Sequence, residues 1–127
     1  MNVVDSSGWI EYLVSGPNAS FFETPLSSTE DLLVPSISIF EVYRYVLREE
    51  GREKALTVAA SMRQSRVIPL DENLAVEAAE VGASYGLPMA DSIIYAVTLA
   101  HDATLWTQDV DFEALDYVKY KSKRGAL

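Results

Sequence analysis

The sequence has no cysteine, one histidine and few basic residues. The lack of cysteine excludes disulfides, thiolate metal ligands and thiol nucleophiles, and it fits a reducing compartment. No apolar run approaches the ~20 residues of a membrane-spanning helix, and the opening MNVVDSSGWIEYL lacks the basic leader of a signal peptide. We therefore expect a cytoplasmic protein with no membrane segment, in which any metal ion is held mainly by oxygen.

Positive charge is scarce and unevenly distributed. Ten Lys and Arg face 19 Asp and Glu, which gives a formal net charge of −9. Such a charge opposes general binding to nucleic acid. All the basic residues, however, lie within residues 44–66 and 119–124. This segregation leaves room for local basic patches, formed by Arg44, Arg48 and the tail Lys119–Arg124.

The 127 residues, 49% of them hydrophobic, predict a single domain over 1–127. Apolar patterns and breakers predict strands and helices that alternate along the chain. The strands are expected near 3–4, 32–35, 67–70, 103–106 and 117–120, and the helices over 6–14, 19–26, 39–50, 53–64, 73–85 and 89–101. Alternation of this kind predicts an α/β fold, a three-layer α/β/α sandwich with a mainly parallel sheet.

The helix over 39–50 is expected to start at a cap formed by Ser36 or Ser38. Its apolar positions predict a buried face. That face comprises Phe40, Tyr43, Val46 and Leu47.

Acidic residues recur where predicted strands end or helices begin. They are Asp5, Glu41, Asp91, Asp109 and Asp111. In open parallel sheets the functional crevice lies beyond the carboxyl ends of the strands. These carboxylates can therefore converge at one edge of the sheet.

Each of these acids also has a purely structural interpretation. Asp5 is a good N-cap for the helix that follows it, and Asp91 is favourable near a helix N-terminus. Glu41 could pair with Arg44 or contact Tyr45 on a solvated helix face. Asp109 or Asp111 could cap a short helix over 112–115.

Structural roles do not explain why several acids should meet with no cation beside them. Clustered carboxylates raise one another's pKa and destabilise the fold. Mg²⁺ or Mn²⁺ resolves this conflict, since both ions prefer carboxylate and water oxygens. Metal-assisted hydrolysis of a phosphodiester is the reaction class that such a site favours.

Three segments, taken in order, resemble a known family: VVDSSGWIEYL, SISIFEVYRYV and GLPMADSIIYAVTLAHDATLWTQDVDF. Together they resemble PIN-domain ribonucleases of the VapC kind, the toxins of toxin–antitoxin pairs, over nearly the whole chain. The last segment is the most specific. It combines an Asp that opens an Ala-rich helix, a short apolar strand, and a Thr-x-Asp pattern followed by Phe.

The resemblance implies an acidic quartet formed by Asp5, Glu41, Asp91 and Asp109. Asp5 and Asp91 would be the most direct metal ligands. Ser6 and Thr107 would orient carboxylates or waters through hydrogen bonds. Asp111 matches an acid found in many relatives, but it could equally cap the next helix, and Asp109 is preferred to it as a ligand.

The resemblance also implies an activity and its partners. It implies Mg²⁺- or Mn²⁺-dependent cleavage of structured RNA, a homodimer, and inhibition by a cognate VapB-like antitoxin. An antitoxin Arg or Lys could enter the carboxylate cluster while an amphipathic helix fills a neighbouring apolar groove.

Two other functions remain open. One is a phosphoacceptor signalling domain, in which Asp5 would bind metal, Asp71 would accept phosphate, Thr107 would switch and Lys119 would contact the phosphoryl group. The other is a PIN fold that binds RNA or protein without cleaving it. His101 falls in the last turn of a predicted helix, where a cation is favourable for structural reasons, so we do not assign it as a general base.

Overall fold

The computed structural model describes residues 1–123, which form five strands and six α-helices. The strands are β1 (Asn2–Val4), β2 (Leu32–Pro35), β3 (Arg66–Ile68), β4 (Thr104–Thr107) and β5 (Val118–Tyr120). The helices are α1 (Ser6–Leu13), α2 (Ala19–Ser27), α3 (Ser36–Glu50), α4 (Arg52–Met62), α5 (Glu72–Tyr85) and α6 (Met89–Ala100). Short 3-10 turns cover Thr29–Asp31 and Val110–Phe112.

The strands form one parallel sheet in the order β3-β2-β1-β4-β5. Alternate residues of each strand face opposite sides. Val3, Leu33 and Leu105 therefore pack with α5 and α6 on one face. Val4, Leu32 and Val34 pack with helices α1 to α4 on the other. The predicted α/β/α sandwich is confirmed.

The apolar composition of the central strands follows from this two-sided burial. Val3, Val4, Leu33 and Val34 are all fully buried, as parallel strands covered on both faces require. The middle of helix α6, from Ser92 to Thr98, is also buried. Since β1 is the central strand, the residue that follows it is held at the middle of the sheet edge.

The predicted start and buried face of α3 are partly wrong. The helix begins at Ser36, its N-cap position is Pro35, and no side chain caps it. The Ser36 hydroxyl instead accepts a hydrogen bond from the backbone N–H of Leu70, while Ser38 is buried inside the helix.

Phe40 and Leu47, which were expected in the core, are 56% and 44% exposed. Val46 is buried as predicted, and Val42, which was not predicted, is buried beside it. The apolar residues of this helix occupy more than one face, and periodicity alone did not distinguish the face that packs on the sheet from the one directed to solvent.

Other boundaries agree with the sequence to within a few residues. Gly86 ends α5 in the left-handed conformation, at φ 68°, where glycine is favoured. Among residues 1–123, no helix is both long enough and apolar enough to cross a bilayer. The last residue of the predicted basic tail, Arg124, lies outside the described residues.

Candidate active site

The carboxyl ends of β1 and β4 are adjacent because the two strands pair directly. Asp5 follows β1, and the segment Gln108–Asp111 follows β4. Asp91 enters from the first turn of α6. Three separate segments of the chain thus bring acids to one place at the sheet edge, as the sequence predicted.

Asp91, Asp109 and Asp111 form the tightest acidic group. Each offers one carboxylate oxygen, and the three oxygens lie within 4.8 Å of one another. Ligands of a single Mg²⁺, at about 2.1 Å from the ion, are at most about 4.2 Å apart. The three oxygens therefore need to move by less than about 1 Å to share one ion, and this donor set fits a hard divalent cation.

Asp109 and Asp111 each offer one oxygen to this group, but Asp109 is half-buried and Asp111 is exposed. The preference for Asp109 as a ligand stays a prediction. Asp109 also accepts the backbone N–H of Asp111 at 2.9 Å, which makes it the N-cap of the 3-10 turn. The structural and the ligand roles of Asp109 are compatible, because capping uses only one of its lone pairs.

Asp5 is 3% exposed and is held by hydrogen bonds on both carboxylate oxygens. The Gly8 N–H donates to Oδ1 at 3.0 Å, which makes Asp5 the N-cap of α1. The Thr107 hydroxyl donates to Oδ2 at 2.7 Å. The Ser7 hydroxyl lies within 3.0 Å of both oxygens. Asp5 thus has the capping role foreseen as its structural alternative, while its carboxylate lies close enough to feel the charge of Asp109.

Burial and the neighbouring carboxylates make it harder to ionise two of these acids. Burial raises the pKa of Asp5 to about 6, although the hydrogen bonds from Thr107, Gly8 and Ser7 lower it. Burial, together with the neighbouring Asp109 and Asp111 carboxyl groups, raises the pKa of Asp91 to about 7. Perturbed carboxyl groups that share one crevice are typical of functional sites.

Glu41 does not belong to the tight group of three. Its carboxylate accepts a hydrogen bond of 2.6 Å from the Ser6 hydroxyl. This contact joins α3 to the start of α1, directly beside Asp5. The expected partner of Ser6 was a carboxylate or a water, and the carboxylate it contacts is that of Glu41.

Thr107 links the two principal acidic segments. It donates to Asp5, and its oxygen accepts the backbone N–H of Asp109 at 2.9 Å. Thr107 is fully buried, so the hydroxyl holds one geometry between the ends of β1 and β4.

Three polar residues near the site were not predicted from the sequence. Ser7 contacts Asp5, while buried Asn18 donates from Nδ2 to the Gln108 side chain at 3.0 Å. Asn18 had been interpreted only as part of a helix break. For Gln108, the sequence offered one indication of a role in the site, namely its position between Thr107 and Asp109.

In the signalling alternative, Asp71 would have to act beside Asp5 and Thr107, but the structure places it elsewhere. Asp71 caps α5 by accepting the N–H of Leu74, and it follows β3, which β2 separates from β1. Lys119 lies over the Trp106 ring, with Nζ 4.6 Å from the ring centroid. His101 directs Nδ1 to the backbone oxygen of Val97 at 3.0 Å, which fits a helix-terminal role.

Comparison with known proteins is consistent with this geometry. The family model of the PIN domain matches residues 3–117, so this chain belongs to the PIN-domain family. No curated protein sequence matches the chain.

Solved structures share the fold. A toxin–antitoxin complex from Klebsiella pneumoniae superposes with a TM-score of 0.76 at 18% identity, covering 94% of this chain and 96% of that one. VapC20 from Mycobacterium tuberculosis, a toxin that cleaves the sarcin-ricin loop, gives 0.74 at 20% identity, covering 91% and 95%. VapBC2 from Rickettsia felis, bound to promoter DNA, gives 0.69 at 15% identity, covering 95% and 97%.

Proposed function

We propose that this protein is a Mg²⁺- or Mn²⁺-dependent endoribonuclease and the toxin of a toxin–antitoxin pair, with residues 1–127 as one PIN domain. The observation that carries the proposal is the convergence of Asp91, Asp109 and Asp111 within 4.8 Å beside buried Asp5 in a PIN fold. The similar structures include a toxin that cleaves RNA, which supports RNA as the substrate. We propose that it acts in the cytoplasm.

In this proposal Asp91, Asp109 and Asp111 hold the ion, and Asp5 and Glu41 complete the acidic site. A bound divalent cation would supply a Lewis acid for the phosphodiester and lower the pKa of a water molecule. Thr107 and Ser7 keep the Asp5 carboxylate fixed, and Ser6 does the same for Glu41. Fixed carboxylates need little reorganisation during the reaction.

The test is cleavage of total cellular RNA by the purified protein with Mg²⁺ or Mn²⁺, with fragment ends mapped. We expect discrete cuts that disappear with EDTA and in Asp91→Asn. Asp71→Asn is the matched control, since Asn also caps helices and Asp71 is remote from the site. Cleavage by a well-folded Asp91→Asn protein at the wild-type rate would remove Asp91 from the site.

The same purified proteins distinguish the nuclease from the two alternative functions. A folded wild-type protein that binds RNA but does not cleave it would favour the non-catalytic binding role. Incubation with acetyl phosphate tests the signalling role, in which wild type but not Asp71→Asn would become phosphorylated.

We propose that the antitoxin places an amphipathic helix in the groove between α3 and α4. This groove, about 350 Å³, is lined mainly by apolar side chains and by Arg44 and Arg63. Exposed Phe40 and Leu47 lie in it, next to Glu41 of the acidic site. We expect Phe40→Ala to cleave RNA normally but to escape inhibition by the protein encoded in the adjacent small reading frame.

We propose that the homodimer forms through the apolar surface at α5 and the start of α6. A groove of about 360 Å³ there is lined by Leu70, Met89 and Ile93 together with three alanines. Met89 is 74% exposed. Sedimentation should show a dimer that Met89→Glu converts to a monomer, whereas Glu77→Gln should leave it unchanged.

A further inference from the structure

A second cavity lies beside the acidic site. We call it the Tyr45 cavity; its volume is about 430 Å³, within the ~300–1,000 Å³ range of small-ligand sites. Its lining combines an aromatic ring, an amide, a carboxylate and a cation with apolar helix residues. These four groups belong to Tyr45, Gln108, Glu11 and Lys123.

Two residues of the lining connect this cavity to the acidic site. Ser7 lines the cavity, and its hydroxyl donates to the Asp5 carboxylate. Gln108 also lines it, directly between Thr107 and Asp109. A smaller depression of about 270 Å³ shares Gln108 and Lys123 with the cavity and includes Asp109 itself. A ligand chain could therefore extend from Asp109 into the Tyr45 cavity.

The polar wall of the cavity is held in place by Asn18, which is fully buried. Asn18 Nδ2 donates to Gln108 Oε1 and to the backbone oxygen of Ser122, each at 3.0 Å. The backbone N–H of Asn18 donates to Glu11 Oε2 at 2.7 Å. The Gln108 oxygen accepts a hydrogen bond from Asn18, and the amide nitrogen can serve as a donor to a ligand.

Gly16 lets the Glu11 side chain lie in this position. A β-carbon at Gly16 would collide with the Glu11 carboxylate. The cavity thus has a fixed acceptor, a fixed donor and an aromatic ring before any ligand binds. Lys123 lines it, and the Arg48 guanidinium lies 5.6 Å from the centroid of the Tyr45 ring, so cations accompany an otherwise acidic region.

We propose that the Tyr45 cavity receives one unpaired nucleobase of the RNA, adjacent to the phosphodiester that is cleaved. The proposal rests on the nuclease function above and deepens it. Tyr45 would stack on the base, Gln108 and Glu11 would contact its edge, and Lys123 would contact a flanking phosphate. Single-stranded RNA is read in this way, by stacking and by hydrogen bonds to base edges.

The chemistry of the lining predicts which bases are preferred. A carboxylate accepts hydrogen bonds from exocyclic amino groups, as in its pairing with the N4 amine of cytosine. Adenine, cytosine and guanine carry such groups and uracil does not. We therefore expect one position next to the cut to disfavour uracil.

The first experiment maps cut sites for Tyr45→Ala and Glu11→Gln. Tyr12→Ala and Glu23→Gln are matched controls, since both side chains are exposed and lie outside the cavity. We expect Tyr45→Ala to lower cleavage by about tenfold, as the loss of one stacked base does, and Tyr45→Phe to restore it. Glu11→Gln should relax the bias against uracil. Cut sites and rates equal to those of the controls would overturn the proposal.

The second experiment needs no change in the cavity. An RNA oligonucleotide spanning a mapped cut is bound to Asp91→Asn protein, with an abasic nucleotide placed at each position near the cut in turn. We expect one abasic position to weaken binding by about tenfold, with no such loss when Tyr45→Ala is added. Equal binding at every position would overturn the proposed role of the cavity but not the proposed nuclease function.

Two further outcomes are distinguishable. Absence of cleavage by folded wild-type protein would overturn the nuclease and this proposal together. Weaker antitoxin binding by Tyr45→Ala, with an unchanged cut-site pattern, would assign the cavity to the antitoxin instead.

Discussion

At the scale of single residues, one hydroxyl links two of the acidic segments. Thr107 donates to Asp5 and accepts from the backbone of Asp109, so its oxygen joins the ends of two adjacent strands. The sequence indicated Thr107 through its resemblance to the family. Its hydrogen-bond partners became visible only in the folded chain.

We expect Thr107→Val to lower RNA cleavage by about 10- to 100-fold, as the loss of a supporting contact to a metal ligand does. It should also cost about 1–3 kcal/mol in the free energy of unfolding, because Asp5 and the Asp109 N–H each lose a buried partner. Cleavage rates and urea unfolding measure the two effects. Thr98→Val is the control, since Thr98 is equally buried but donates only within α6; an equal loss of cleavage there would assign the effect to stability alone.

Asp91→Asn should separate activity from stability. We expect at least about 100-fold less cleavage, because a proposed ligand is lost. Without metal at pH 7.5, the variant should be more stable by about 1 kcal/mol, a figure reduced for the partial exposure of Asp91. The reason is that the pKa of Asp91 is raised to about 7, so ionisation near neutral pH destabilises the wild-type fold. A variant less stable than wild type in EDTA would contradict the repulsion that we infer.

At the scale of elements, the close approach of α1 and α2 depends on a glycine within a helix. A β-carbon at Gly8 would lie 2.6 Å from the Phe22 ring and 2.7 Å from Val4 Cγ1. Glycine weakens a helix, so its presence in the first turn of α1 has a packing reason. The turn it allows is the one capped by Asp5.

We expect Gly8→Ala to destabilise the fold by about 1–3 kcal/mol, in spite of the higher helix propensity of alanine, because the core there is overpacked. It should also reduce cleavage by shifting α1 and its cap Asp5. Urea unfolding measures the first effect, with Ser20→Ala on the exposed side of α2 as the control. A stabilised Gly8→Ala protein would show that α1 and α2 are less tightly packed than described.

At the scale of the whole molecule, the acidic site couples stability to pH and metal. Asp5 and Asp91 have a pKa raised from 3.8 to about 6 and about 7. Between about pH 4 and pH 7, the folded state therefore binds more protons than the unfolded state. These two groups therefore contribute fully to the stability of the metal-free protein below pH ~4, and their contribution is lost as the pH rises towards 7.

We expect the melting temperature in EDTA to fall between pH 5 and pH 8, and Asp5 alone should contribute about 1.5 kcal/mol over this range, roughly half of its full effect. Mn²⁺ should raise the melting temperature at pH 8, where the carboxylates are ionised, and much less at pH 5. Thermal unfolding over this grid is the measurement, with Asp91→Asn expected to flatten both dependences. A metal effect of equal size at both pH values would contradict carboxylate ligation.

The sequence by itself determined the fold class and the identity of most acidic candidates. Short buried strands alternating with helices leave few arrangements other than a covered parallel sheet. Asp5 and Asp109 are brought to one edge because each lies within two residues of the end of a strand, whichever order the strands take. The roles of these acids in catalysis stay predictions.

Only the tertiary structure decided which groups touch. The pairing of β1 with β4 brings Thr107 to Asp5, and no local pattern specifies that neighbour. The exposure of Phe40 and Leu47 depends on which face of α3 meets the sheet. The Tyr45 cavity combines residues from distant segments through the buried amide of Asn18. Local propensity is set by neighbours along the chain, whereas these contacts are set by how whole elements pack, and that depends on the entire sequence at once.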